Sequence, residues 1–326
     1  MSKTSKASTA ASGGSTTGEV TSAFSSARKR VPLPEQPQRA MQITKKSDTY
    51  RRDNNADIPD QAYDRICRIL KTLGGFQLHG YKNACIKRRI SARIRSTGYA
   101  SAMEYADFLL QSRSEPAQLI KMLTIHVSKF FRNLDTFNKL RDEIFPSLFS
   151  GCLQEGRNHL DIQSIGCASG EEPYSLALIL HDSFAREMSR VKVSIRAMDI
   201  DREVLRIAAE ATYEVDRMDE APVAITKRYF TFQDDTYRLV PEIRNMVTFH
   251  CQDMLRPEPL EECDLILCRN VLIYLERSHQ EALLKRFSES LRTGGILVLG
   301  KTENLMGEVR ELYQTLCPVE RIYRKK

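Results

Sequence analysis

The chain has 326 residues, 41% hydrophobic and 28% charged, which excludes disorder throughout and provides enough apolar side chains for two domains. Its formal net charge of +7 invites a polyanionic partner, yet residues 1–52 hold ten basic and three acidic side chains and the other 274 residues hold 39 of each sign. Within that neutral body, residues 53–150 count fifteen basic against ten acidic side chains and residues 151–326 count twenty-four against twenty-nine, so a basic half faces an acidic half.

The first thirty residues are mostly Ser, Thr, Ala and Gly, followed by Pro32, Pro34 and Pro37. Such a stretch cannot offset its ordering entropy, and a flexible basic tail is expected over 1–52. It has neither the apolar run of a secretory signal nor the periodicity of a presequence, and no segment is apolar enough for a membrane span.

From residue 53 to about 150 the pattern is helical, with Ile66, Ile69, Leu70 and Leu73 before Gly74-Gly75, then Ile86, Ile90 and Ile94 before Gly98. The Lys82–Arg95 helix carries six basic residues and no acid, opposite an apolar face built by the four-residue spacing of its isoleucines. A charge run ordinarily reads as a solvated face, but six uncompensated positives also repel one another, so an acidic partner is carried forward as a second reading. Further helical runs are expected over Pro116–Phe131 and Thr136–Phe149, completing a small all-α domain.

From His159 strands alternate with helices. Leu160–Ile165 leads into Gly166 and a helix from Pro173, Val191–Met198 leads into Asp199 and a helix from Asp201, and Cys263–Cys268 precedes a helix over Ser278–Leu291 and a strand over Gly295–Leu299. This alternation predicts an α/β fold with a doubly wound, mostly parallel sheet. A β-hairpin formed by Arg228–Gln233 and Tyr237–Val240 is inserted into it, within a small subdomain over about 222–250. The domain of the sheet is expected over 151–326.

Ligands of such sheets bind beyond the carboxyl ends of the strands. The first strand ends in Gly166-Cys-Ala-Ser-Gly-Glu-Glu-Pro, which lacks both the Gly-Lys-Ser/Thr ending of a phosphate loop and the middle glycine of a dinucleotide fingerprint. Glu171 and Glu172 put negative charge where a phosphate would bind, so a ligand with a cationic part fits better. Asp199, at the end of the second strand, is placed to accept both hydroxyls of a ribose. An adenosine without phosphates but with an ammonium and a sulfonium is S-adenosylmethionine. Taken one at a time, these acids read as helix-dipole partners and a helix cap. With Asp253 and Arg269-Asn270 ending the next two strands, four consecutive polar strand ends point to a cofactor site.

The eight cysteines form no Cys-x-x-Cys pair and no His accompanies two of them, so no metal is expected and a reducing cytoplasm is the natural setting.

Leu123–Asn133, Gly166–Ser175, Met198–Asp201, Arg228–Phe230 and Cys268–Tyr274 together resemble the CheR-type chemotaxis receptor methyltransferases. The resemblance covers about residue 55 to the end. It implies a class I S-adenosylmethionine-dependent methyltransferase, with S-adenosylhomocysteine as product, that methylates glutamate side chains of chemoreceptors. It further implies a cytoplasmic protein recruited to membrane receptor arrays through protein contacts, with monomer the default and neither nucleic acid nor membrane insertion expected. Rival functions are methylation of RNA or another protein, a non-catalytic cofactor-binding scaffold, and an NAD-dependent oxidoreductase.

Carried over residue by residue, Arg132 and Tyr274 are similar to the groups beside the reacting methyl. His126, Ser128, Arg132, Gly166, Glu172, Asp199, Asp253, Met254, Cys268, Arg269 and Asn270 correspond to the cofactor site. Lys87, Arg88, Arg89, Arg93 and Arg95 are the candidate dock for an acidic methylation helix of the receptor. Three departures stand out: His126 and Ser128 replace the family's frequent Asn and Thr, Asp253 replaces Asn, and the hairpin turn Gln233–Thr236 is short and lacks glycine, so no receptor tether is expected there.

Overall fold

The computed structural model describes residues 58–326, apart from 75, 77, 79, 125 and 126. The basic tail expected over 1–52 and the candidate cofactor residue His126 lie outside the described residues.

Four helices open the described chain: α1 Asp60–Gly74, α2 Asn83–Thr97, α3 Ala102–Gln111 and α4 Glu115–Leu123. The expected apolar stripes are their contact surfaces, with Ile66, Leu70, Ile86, Ile90, Ile94, Tyr105 and Leu109 buried in one cluster. Ser101 caps α3 by accepting the Glu104 N–H, and the left-handed Gly98 ends α2.

The helical run expected over Pro116–Phe131 stops at Leu123. Thr124 closes it, its hydroxyl donating to the Ile120 carbonyl, and residues 127–133 form a loop. That loop buries the consecutive Phe130 and Phe131 in the core beneath the sheet, which one helical face cannot do. Helices α5 Leu134–Lys139 and α6 Phe145–Gln154, joined by a π-helical turn at Leu140–Ile144, share that core. The chain therefore enters the body of the sheet near Phe130, about twenty residues before the expected junction at 150.

Ten strands follow or interleave the remaining helices: β1 His159–Ile165, α7 Glu171–Ser183, α8 Ala185–Met188, β2 Lys192–Asp199, α9 Arg202–Glu210, β3 Thr212–Glu214, α10 Val223–Tyr229, β4 Phe230–Gln233, β5 Thr236–Leu239, α11 Pro241–Arg244, β6 Val247–Cys251, β7 Cys263–Cys268, α12 Arg277–Ser290, β8 Leu291–Leu299, β9 Tyr313–Cys317 and β10 Ile322–Lys325. The large sheet has the order β6-β2-β1-β7-β8-β10-β9, parallel except at β10. Connections from β1 leave in one direction and those from β7 in the other, so a crevice opens at the carboxyl ends of these two neighbours. Apolar side chains fill both faces: Leu265 and Leu267 join the cluster under α6 and α7, and Ile266 and Cys268 the one under α12.

The small sheet has the order β3-β5-β4 and is antiparallel. Arg228 and Tyr229 belong to α10 rather than to the hairpin. Three-residue β3 shows no alternation in sequence, so the small sheet begins earlier than expected, and β6 from Val247 belongs to the large one. The glycine-free turn works because Asp234 and Asp235 both take left-handed backbone, with φ of 49° and 55°. Among the described residues no helix is long and apolar enough to cross a membrane.

Candidate active site

A cavity of about 340 Å³ opens at the β1/β7 crevice, between the strand ends and the helical domain. Gly166 begins its floor with φ of +73°, and a Cβ there would stand 2.5 Å from Val271 Cγ2, so only glycine fits. The next residues turn back: Gly166 and Cys167 N–H donate to the Met198 carbonyl at 2.8 and 3.0 Å, and Ala168 N–H donates to Asp199 Oδ2 at 3.0 Å. Asp199 also receives the Asp201 N–H on Oδ1 at 3.1 Å. Its carboxylate is thereby held in place at the cavity. Asp201 is the α9 cap, accepting from Glu203 N–H.

Glu172 lies on the first turn of α7, its side chain 14% exposed. Ser164 donates to Oε1 at 2.9 Å. Burial pushes its carboxyl above the usual range, and Arg269 and Ser164 only partly offset this. Glu171 is fully buried, with Oε1 accepting from Ser169 and Arg217 and Oε2 without a hydrogen-bond partner; burial raises it too. On the far side, Asp253 and Met254 line the cavity. Asp253 Oδ1 accepts the Leu255 N–H, and the Met254 carbonyl is held by Arg286 of α12 at 2.6 Å.

The Val127–Asn133 loop brings Ser128 and Arg132 to the cavity. Arg132 Nη1 donates to the Val127 carbonyl at 2.8 Å. The loop is tied from three sides: Ser175 Oγ accepts the Phe131 N–H, Arg217 donates to the Ser128 carbonyl, and Arg269 donates to the Arg132 carbonyl and Asn133 Oδ1. Tyr274 reaches the cavity from a 3₁₀ turn, Leu272–Tyr274. Burial pushes its hydroxyl up, so at neutral pH it is a hydrogen-bond donor. Backbone strain gathers here, for Phe131, Asn133, Ala168 and Asn270 all have positive φ.

The cavity thus brings together Ser128, Arg132, Gly166, Glu172, Asp199, Asp253, Met254, Arg269, Asn270 and Tyr274. Cys268 is a correction. Strand alternation turns it away from the cavity into the apolar cluster beneath α12, where it is fully buried and its thiol is pushed well up by burial.

The uncompensated charge expected on α2 is a second correction. Lys87 pairs with Asp60 at 2.8 Å, and Arg93 grips the buried Glu115 through two 2.8 Å hydrogen bonds. These acids come from α1 and α4, 27 and 22 residues away, which is why the helix looked uncompensated in sequence. Arg89 turns inward, donating to the Met122 and Leu123 carbonyls, lining the cavity and standing 5.8 Å from the Tyr274 ring centre. Arg88 and Arg95 are exposed.

Residues not singled out in sequence complete the lining. Phe76 and Tyr81, between α1 and α2, form an aromatic wall, and Val271 packs on Gly166. Only the helical pattern around them was readable, since nothing local tells an aromatic at a cavity from one in a core.

The chain matches the family model described as CheR methyltransferase, SAM binding domain, over residues 126–320, and that described as CheR methyltransferase, all-alpha domain, over 61–124. It belongs to the CheR methyltransferase family. This CheR-family chain is 33% identical to a chemotaxis protein methyltransferase of Listeria innocua over 251 residues, covering 76% of this chain and 93% of the relative. A chemotaxis protein methyltransferase of Borreliella burgdorferi is 30% identical, with coverage of 78% and 91%. An uncharacterized 104.1 kDa protein of Rhodobacter capsulatus is 31% identical over 82% of this chain, which spans only 28% of that larger protein.

The CheR-family chain is an S-adenosylmethionine-dependent methyltransferase, and its residues suit that cofactor. A volume within the usual range for small-molecule sites, an acid set able to receive an ammonium and a diol, and a glycine where a side chain would fill the floor all fit. Glu172 would hold the cationic methionyl end, Asp199 the ribose, and Asp253 with Met254 the adenine end. When bound, the cofactor supplies an electrophilic methyl group on a sulfonium.

Proposed function

We propose that this enzyme methylates glutamate side chains of chemoreceptors, the methyl-accepting chemotaxis proteins, to give glutamyl methyl esters in sensory adaptation. The observation that carries this reading is that Arg132 and Tyr274, both donors, line the same cavity as the acid set Glu172, Asp199 and Asp253. A substrate carboxylate would find a cationic and a neutral donor in Arg132 and Tyr274, while the acids would suit the cationic and hydroxyl groups of the cofactor.

An unperturbed glutamate has a pKa of about 4.3, so the substrate is already the anionic nucleophile at neutral pH and needs no general base. What the protein must supply is alignment and exclusion of water, where orientation alone contributes several kcal/mol, up to roughly 7–11 in favourable cases. Arg132 can receive a carboxylate bidentately, and its tie to Val127 sets the direction in which the guanidinium points. Arg132 acts by positioning, because neutralising the nucleophile would slow transfer.

Arg88 and Arg95, exposed on α2, are proposed to dock an acidic receptor helix, with Arg89 at the cavity. Recruitment to receptor arrays would follow from these protein contacts. The test is incubation with methyl-labelled S-adenosylmethionine and receptor-bearing membranes, followed by mild base. Volatile labelled methanol is expected. Alkali-stable label, or none, would overturn the reading.

A further inference from the structure

Glu303 lies beyond the end of β8, 4% exposed, and does not line the cavity. Its carboxylate accepts four backbone N–H groups from two separate loops. Oε2 receives Gly300 at 2.6 Å and Asn270 at 3.0 Å, and Oε1 receives Val271 at 2.9 Å and Ile273 at 3.3 Å. Four donors use the whole acceptor capacity of a carboxylate. Three of them belong to the turn after β7, which carries Asn270, Val271 and Tyr274 to the cavity.

This turn does not hold its shape by local preference. Asn270 has φ of +60°, and its amide stands 2.8 Å from where a Gly300 Cβ would be, so residue 300 must be glycine for the two loops to meet. Consecutive N–H groups converging on one point also repel one another until an anion is placed among them.

We propose that Glu303 is the positioning residue of this active site: a buried anionic peg that fixes the Asn270–Tyr274 turn, and through it Tyr274 and the Val271 contact with Gly166, without touching cofactor or substrate. The proposal rests on the methyltransferase reading and adds to it a residue outside the cavity.

A glutamine at 303 would keep the shape but turn an N–H₂ donor toward two N–H donors. Displacements of about 1 Å at such a site reduce rates by up to roughly 100-fold. The expected result for Glu303→Gln is a tenfold or greater rise in the dissociation constant for S-adenosylhomocysteine, read calorimetrically without any receptor, and a tenfold or greater fall in kcat at saturating cofactor. Glu303→Asp keeps the charge and should recover part of both losses. Glu320→Gln is the control: it removes a buried carboxylate bonded to Thr136 and Lys301 outside the cavity lining. It should lower stability while leaving both readouts within threefold of wild type.

Glu303→Gln with wild-type affinity and kcat would overturn the proposal, as would equal losses in Glu320→Gln. If the glutamine variant does not fold, wild-type values in Glu303→Asp overturn it instead, and an intermediate loss supports it. Wild-type protein that fails to bind S-adenosylhomocysteine would count against the methyltransferase reading itself.

Discussion

Arg269 Nη1 stands 3.4 Å from Glu172 Oε2, with the two side chains 2% and 14% exposed. That is long for a charge-assisted hydrogen bond, and the better bonds of this guanidinium, both 2.9 Å, go to the Arg132 carbonyl and Asn133 Oδ1. Glu172 is therefore neutralised only in part and can receive a second cation. The same guanidinium ties that acid to the loop bearing Arg132, so Glu172 and Arg132 share one support.

Cofactor affinity should depend on pH through Glu172. Its carboxyl is raised by burial, with Arg269 opposing. A raised acid favours the folded state while protonated, and that contribution is lost as pH rises through the folded pKa. An ammonium pairs only with the ionised form, so binding should weaken as pH falls through this raised value, above the ordinary range of about 4.3. Titration calorimetry with S-adenosylhomocysteine at stepwise lower pH, starting from pH 8, should show this loss. Glu172→Gln should bind about 10- to 100-fold more weakly and lose this pH dependence. A variant with the wild-type pH profile would remove Glu172 from the role.

Arg132 and Tyr274 should separate chemistry from binding. Arg132→Lys keeps the charge but loses the planar fork, and kcat should fall about tenfold or more while S-adenosylhomocysteine affinity stays within about threefold. Tyr274→Phe removes a hydroxyl that burial keeps protonated, with an expected fall in kcat of about 10- to 100-fold. Single-turnover transfer to receptor membranes under saturating cofactor measures both. Losses confined to KM for the cofactor would reassign them to binding.

The cations of α2 should divide into two groups. Arg93 is bound to Glu115, which also accepts from Tyr105 at 2.7 Å. Burial alone would raise Glu115, but the hydrogen bonds of Arg93 and Tyr105 outweigh it and hold the carboxyl below its usual range. That stability is present above the unfolded pKa and is lost as pH falls through the depressed folded value. Arg93→Ala should lower unfolding free energy by about 2–4 kcal/mol in urea melts. Arg88→Glu with Arg95→Glu should leave melts unchanged within about 0.5 kcal/mol and raise KM for receptor in a salt-dependent way. Unchanged receptor methylation would remove the docking proposal.

How much of this was legible in the sequence depended on where each residue's partners lie. Glu172, Asp199 and Asp253 were readable because a parallel sheet presents strand ends on one edge, and strand ends follow from apolar runs. Cys268, adjacent to the cavity residue Arg269 in sequence, falls on the other face by alternation. Lys87 and Arg93 seemed free because Asp60 and Glu115 reach them only through tertiary packing. Glu303 was invisible for a different reason: all four of its listeners are main-chain N–H groups, which leave no side-chain signature. The end of α4 was misplaced because burial of Phe130 and Phe131 overrides helical periodicity.

Gly166 and Val271 provide a direct test of how the floor of the site is built. A Gly166→Ala substitution carries two separable penalties. The left-handed φ of +73° disfavours any Cβ by about 1–2 kcal/mol, and the new Cβ would stand 2.5 Å from Val271 Cγ2, an overlap worth about 1–3 kcal/mol. Val271→Ala removes the overlap and leaves the backbone penalty. In a double-mutant cycle by urea unfolding, the double variant should therefore be more stable than the sum of the single losses by about 1–3 kcal/mol. Cofactor affinity should follow the same order, lowest in Gly166→Ala and partly restored by the second substitution. Strict additivity would mean that the loop relaxes away from Val271, and that the glycine is required for its backbone alone.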